Sequence, residues 1–159
     1  GKKGGCIGME KAAGALLPSN PRPVVPIAMS DIRTFEDLVC WRFGRELAVL
    51  VYRSTATAMS AKDYGFADQM RRAAISVMNN IAEGFERDTN VDTVKFLFIA
   101  KASSGEVRSM AYAGLDLGYF DPAQFEEIKL RSARCSKTVW GLIKCMKQKP
   151  DWRSLPLSK

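Results

Sequence analysis

Apolar positions between Gln69 and Gly84 fall in two parallel stripes. Met70, Ala74, Val77 and Ile81 recur every three or four residues, and Ile75, Met78, Ala82 and Phe85 repeat the spacing alongside. That period predicts a helix. One buried side needs only one stripe, so two stripes predict a helix covered over more than half of its circumference. The segment belongs to a predicted helix from about Tyr64 to Arg87, entered by a turn at Ser60-Ala61-Lys62-Asp63. Gly84 lies on its apolar side one turn before the end. Glycine weakens a helix there, so close backbone packing is the reason expected for it.

Three more helices follow from the same reading. The first runs from about Glu36 to Thr57, with Thr34 as N-cap and Glu36 and Asp37 in the first turn. Its apolar residues spread over Trp41, Phe43, Leu47, Ala48, Leu50, Val51 and Tyr52, leaving a narrow charged strip of Arg42, Arg45, Glu46 and Arg53. After a choice of caps in Asp88-Thr89-Asn90, the third helix spans about Val91 to Leu117. Its stripe is Phe96, Ile99, Ala100, Ser103, Val107, Met110, Ala111 and Gly114, with small residues that admit a close neighbour. Gly118-Tyr119-Phe120-Asp121-Pro122 combines a C-cap glycine, an Asp N-cap and a first-turn proline. The fourth helix continues to about Gln148 on Phe125, Ile128, Cys135, Val139, Leu142, Ile143 and Met146. No segment alternates as a strand does. The prediction is an all-α, antiparallel up-down-up-down four-helix bundle over residues 34–149. Residues 1–33 hold four prolines and a glycine cluster and read as a flexible or extended arm. Met29-Ser30-Asp31 reads as a natural start, with the residues before it an added or upstream extension. Residues 150–159 form a short tail.

Helices three and four each present one apolar face, whereas the arcs of helices one and two exceed half a turn. A homo-oligomer would cover the surplus, with Arg71, Ile75, Met78, Ala82 and Phe85 at the subunit contact. The alternative is that alanine and methionine there are simply tolerated in water. Arg71 lies in the same arc and calls for a partner such as Glu106. Arg72 is set for Asp68 one turn earlier, and Glu83 for Arg87.

Composition narrows the chemistry. The 159 residues include no histidine, which removes His-assisted nucleophiles and His-ligated metals. Cys6, Cys40, Cys135 and Cys145 form no C-x-x-C pair, so no zinc site is predicted. A reduced, cytoplasmic setting is expected. There is no signal-peptide pattern and no run of membrane-spanning length. Phosphate-binding and nucleophile-elbow motifs are missing. Glu83, Glu106 and Asp116 could meet inside a bundle, but a di-iron site of the Glu-x-x-His kind lacks its histidines. The expectation is a protein without cofactor that is not an enzyme, a carboxylate-only hydrolase being the remote alternative.

Charge is more telling. Net charge is +7, from 24 basic and 17 acidic residues. Lys129, Arg131, Arg134, Lys137, Lys144, Lys147 and Lys149 follow one another without an acid between them. Arg134, Lys137 and Lys144 share one helix face around Gly141, and Arg42, Arg45 and Arg53 share another on helix one. Such ridges suit a phosphate backbone; they also suit a solvated face. Trp140 is the one aromatic on a basic face, so a reader of shape and backbone is expected rather than a stacking platform.

Several blocks resemble the family of four-helix bundle proteins known as 23S rRNA intervening-sequence proteins. They are Phe35-Glu36-Asp37-Leu38-Val39-Cys40-Trp41 with Val51-Tyr52; Tyr64-Gly65-Phe66 and Gln69-Met70-Arg71-Arg72-Ala73-Ala74-Ile75-Ser76-Val77 with Asn80-Ile81-Ala82-Glu83-Gly84; Phe96-Leu97, Ile99-Ala100, Ser103 and Glu106; and Leu117-Gly118-Tyr119. Two positions depart from the family's pattern: Met78 stands where many members have Pro, and Lys101-Ala102-Ser103 where Gly-Ser is usual. The resemblance implies an antiparallel bundle assembled as a ring, a pentamer, in a family without an established enzymatic activity. The family is also similar to the accessory protein of diversity-generating retroelements, a basic ring that binds a reverse transcriptase and nucleic acid. The expected function is therefore a non-enzymatic oligomer binding RNA or DNA through Arg42, Arg45, Arg53, Arg134, Lys137 and Lys144. The alternative is an adaptor ring for a protein such as a reverse transcriptase.

Overall fold

The computed structural model describes residues 32–148, and every regular element among them is helical. The Gly/Pro arm before Ile32, the tail after Gln148 and Cys6 lie outside the described residues. Four long helices, α1 (Val39–Ser54), α3 (Tyr64–Phe85), α4 (Asn90–Asp116) and α5 (Pro122–Gln148), are joined by short turns and by the five-residue α2 (Ala56–Ser60). Helix α1 packs on α3 and α5, and α4 packs on the same two, so the diagonals do not touch. All four seams run antiparallel. Residues 44 and 71 of the α1–α3 pair meet residues 77 and 55. Across α3–α4, Gln69 reaches Glu106, Ser76 meets Ser103, and Gly84 meets Thr93 and Phe96. Phe43 and Glu46 of α1 meet Arg134 and Arg131 of α5.

The first predicted helix is divided. The Asp37 carboxylate accepts the N–H groups of Arg33 and Thr34, each at 3.0 Å, and closes a single 3-10 turn over Phe35–Asp37. Those backbone donors hold its pKa below the usual carboxylate range. Leu38 is extended, and α1 begins after it. At the other end the Thr55 hydroxyl donates to the Val51 carbonyl at 2.9 Å and accepts from Arg71 Nε at 2.8 Å. The Thr55 N–H keeps its own bond to the Val51 carbonyl at 3.0 Å, and the chain leaves regular helix at this residue, between α1 and α2.

The other boundaries agree with the sequence within about two residues. Asp63, Thr89 and Asp121 act as N-caps, their side-chain oxygens accepting from the N–H of Phe66, Asp92 and Gln124. The Gln124 side chain returns a bond to the Asp121 N–H, completing a capping box. Gly118 takes φ +72° and ends α4. Helix α3 runs unbroken through Met78. The Tyr119 hydroxyl donates to Asp63 Oδ2 at 2.8 Å, and the Phe66 ring lies edge-on to Tyr119 at 5.1 Å. Two turns far apart in sequence are thereby locked at one end of the bundle.

Helix α4 is rotated from its predicted orientation. Its buried face is Thr93, Leu97, Ala100, Ser103, Ser104, Val107, Ala111 and Gly114, while Ile99 is 47% exposed. Three buried hydroxyls of α4 and α5 satisfy themselves on their own helices: Thr93 on the Thr89 carbonyl, Ser104 on Lys101 and Ser132 on Ile128. A hydroxyl bonded this way can be buried without the cost of an unpaired group. Burial pushes the Cys40 and Cys135 thiols up to about 12, leaving both as unreactive core residues.

Small residues set the helix separations. A Cβ on Gly84 would meet Phe96 Cβ at 3.0 Å and the Thr93 carbonyl at 3.1 Å, the close packing expected there. A Cβ on Gly114 would lie 2.3 Å from the Phe120 ring, which folds back from the α4–α5 turn. Gly114→Ala should destabilise by about 1–3 kcal/mol through overpacking. Gly105→Ala, in a helical site with open space, should stabilise by about 0.5–1 kcal/mol. Urea unfolding midpoints of the two variants check the opposite signs.

Candidate nucleic-acid interface

Helix α5 is electrically two-sided along its length. Lys129 pairs with Glu126 at 2.7 Å, and Arg131 pairs with Glu127 at 2.9 Å and with Glu46 of α1 at 3.1 Å. These two cations are neutralised. Past Ser132 the described part of the helix carries no acid, and Arg134, Lys137, Lys144 and Lys147 are all exposed without an ion pair among the described residues.

The predicted ridge of Arg134, Lys137 and Lys144 is exposed but parts down the middle. Arg134 leans toward α1, its guanidinium 3.6 Å from the centre of the Phe43 ring. Lys137 leans the other way, into a groove against α4. Lys144 stands free of described partners. On α1, Arg42 is half-buried and donates to the Asp37 carbonyl at 3.0 Å, while Arg45 and Arg53 are exposed and make no hydrogen bond or ion pair among the described residues.

The groove between α4 and α5 is the most informative feature of the surface. It is shallow and open to solvent, with a volume of about 390 Å³, and is lined by Lys101 and Arg108 from α4 and by Ala133, Ser136, Lys137 and Trp140 from α5. Three cations line it and no carboxylate does. Two of the three acids of α4 are bonded elsewhere, Asp92 to Lys95 and Thr89 and Glu106 to Gln69 of α3, and the third, Asp116, is the last residue of the helix, outside the groove lining. Trp140 is 40% exposed and Phe98 41%. Their ring centres lie 6.3 Å apart, with Lys101 Nζ 6.0 Å from the Trp140 ring and Lys147 Nζ 5.0 Å from the Phe98 ring. These contacts hold the rings by the electrostatic attraction of cations to π faces.

Lys101, Arg108 and Phe98 do not figure among the residues predicted from sequence. Lys101 and Arg108 are seven apart and therefore share a helix face. Taking Ile99 and Phe96 as core, in place of Leu97 and Ser104, turned that face away from α5.

The predicted oligomer contact is also placed. Arg71, Ile75, Met78, Ala82 and Phe85 are all half-buried within one chain. Ile75, Met78 and Phe85 pack on the margin of the core. Arg71 does not pair with Glu106, which takes Gln69 instead; it bonds Thr55 and stacks 4.8 Å over the Tyr52 ring. Arg72–Asp68 and Arg87–Glu83 form as expected, on exposed surface. Glu83 and Glu106 thus serve separate partners, and no three metal-ligating side chains converge among the described residues. Sequence placed the apolar surplus on α1 and α3; the large exposed apolar side chains of the long helices are Tyr52 on α1 and Tyr64 on α3, and more of them lie on α4 and α5 (Phe98, Ile99, Tyr112, Leu130, Trp140). Neighbouring helices cover the second stripe of α3 in part, leaving its residues half-buried.

Among the described residues no helix is long and apolar enough to cross a membrane. A family model described as 23S rRNA-intervening sequence protein matches residues 36–141. A solved structure from Bacteroides thetaiotaomicron, described as a protein of unknown function from the S23 ribosomal protein family, superposes with a TM-score of 0.62 at 23% identity. It covers 67% of this chain and 99% of its own. That likeness establishes the shared fold. No functionally curated protein matches the chain.

The groove's charge has a direct optical test. With Trp41 and Trp152 replaced by Phe, the ratio of iodide to caesium quenching of Trp140 should exceed that of free tryptophan, because cations concentrate anions locally. Ala at Lys101, Arg108 and Lys137 should bring the ratio back toward the value for free tryptophan.

Proposed function

This chain belongs to the 23S rRNA-intervening sequence protein family, and from that premise we propose that it is a non-enzymatic helical bundle that assembles with copies of itself and binds RNA or DNA through its basic faces. The observation that carries this reading is the run of cations without carboxylate partners, Arg134, Lys137, Lys144 and Lys147 on α5, of which Lys137 shares a groove with Lys101 and Arg108 of α4. A cation already paired to a carboxylate gains little from a phosphate. An unpaired one releases the counterions condensed on the nucleic acid. Arg45 and Arg53 extend the positive surface onto α1.

Assembly would use the α3 margin, where Arg71, Ile75, Met78, Ala82 and Phe85 remain half-exposed. A ring of five, the state the family resemblance implies, would repeat the basic seam around its circumference. Weak phosphate contacts would then add by effective concentration. The family's name makes RNA the first nucleic acid to test.

Binding of a labelled rRNA fragment and of duplex DNA should weaken by about 20- to 40-fold between about 50 and 200 mM salt if three phosphates are neutralised per protomer. Replacing Arg134, Lys137 and Lys144 by Gln should lower the slope of log affinity against log salt by about 2–3. Light scattering should report a multiple of the monomer mass, increasing with bound RNA. Failure to bind either nucleic acid at low salt overturns the reading. Capture of a protein partner that survives nuclease treatment would then favour the adaptor role.

A further inference from the structure

We infer that the α4–α5 groove is a single-strand site, in which an unpaired nucleobase stacks on the open surface of Trp140 while Lys101, Arg108 and Lys137 hold the flanking phosphates. The inference rests on the nucleic-acid reading and adds to it the kind of strand recognised.

Backbone binding alone needs cations and no aromatic ring among them. Here the most exposed tryptophan of the described residues sits inside the cationic seam, with 40% of its surface open. Phe98 packs tilted against it and Lys101 lies over one face of the ring, so little side-chain freedom remains to be lost when a base stacks on the other face. Lys101 and Arg108 are seven residues apart on one face of α4, about 10.5 Å along the axis. Because α4 and α5 are antiparallel, Trp140 lies toward Lys101, and Lys137, about one turn earlier, lies toward Arg108. A strand laid along the groove therefore meets the ring near one end and cations along its length. The volume of about 390 Å³ falls in the range of small-ligand sites and suits a nucleobase with its phosphate. The Ser136 hydroxyl at the groove wall can donate to or accept from a base edge.

A duplex cannot supply that base, since its bases face one another inside the stack. Loops, bulges and single strands can. Three cations and no acid in the lining also make the groove a poor seat for an apolar helix.

The test is an anisotropy titration of the full chain with a labelled single strand and with the duplex of the same sequence, at equal salt. The single strand should bind more tightly. Trp140→Ala should weaken it about ten-fold, within the range for one stacked base, with duplex affinity unchanged. Trp140→Phe should restore most of the loss, which a purely structural role for the residue would not produce. If Trp140→Ala leaves single-strand affinity unchanged, or weakens both forms equally, the stacking site is wrong and backbone binding stands. If the unaltered protein binds neither form at low salt, the nucleic-acid reading falls and the inference with it.

Discussion

The close approach of α3 and α4 governs what the rest of the molecule presents. Gly84 lets the start of α4 come within van der Waals contact of the end of α3. Ser76 and Ser103 then meet at 2.9 Å, and Asn80 donates to the Ser76 hydroxyl, so the seam is bonded as well as packed. At the far end Gly114 accepts the Phe120 ring. With both ends pinned, α4 has one rotation about its axis. Glu106 is turned toward α3, and Lys101 and Arg108 are turned toward α5 without an acid to meet them. The basic groove is a consequence of that rotation.

The same geometry explains why the long apolar surface of α3 does not stand bare. Its second stripe is wider than one neighbour could cover, but α1 and α4 flank it on both sides. Gly44 allows α1 to approach so closely that an added Cβ would touch Val77 at 3.2 Å and Met78 at 3.3 Å. Arg71, which looked in the sequence like a buried charge in need of a carboxylate, is satisfied by neutral partners: a threonine hydroxyl, a carbonyl and the face of Tyr52. Cations held by dipoles and π faces keep their full charge, and they leave the carboxylates to exposed pairs at the helix surfaces.

Much of the fold was legible because its signals are local. Period, caps and stops predict Tyr64–Phe85 and Pro122–Gln148 closely, since Asp63, Asp121 and Gly118 act on the backbone within a turn of themselves. The break at Thr55 was not legible, because no proline or glycine marks it and the contact of its hydroxyl with Arg71 of α3 is tertiary. The face of α4 was misjudged for a related reason. Ser104 and Thr93 look polar in sequence, yet they bury cheaply by bonding carbonyls of their own helix, while the apolar Ile99 is left outside. The basic ridge on α5 was visible as composition. Its division between Arg134 and Lys137, and the two cations facing it from α4, depend on helix rotation and so required the structure.

The α4–α5 seam, rather than α1 or α3, is the claimed working surface. Photo-cross-linking of a bromouracil-containing single strand, followed by peptide mapping, addresses it most directly. Cross-links should map to the α5 peptide containing Trp140 and to the α4 segment around Lys101 and Arg108. Cross-links confined to α1 or α3 would contradict it.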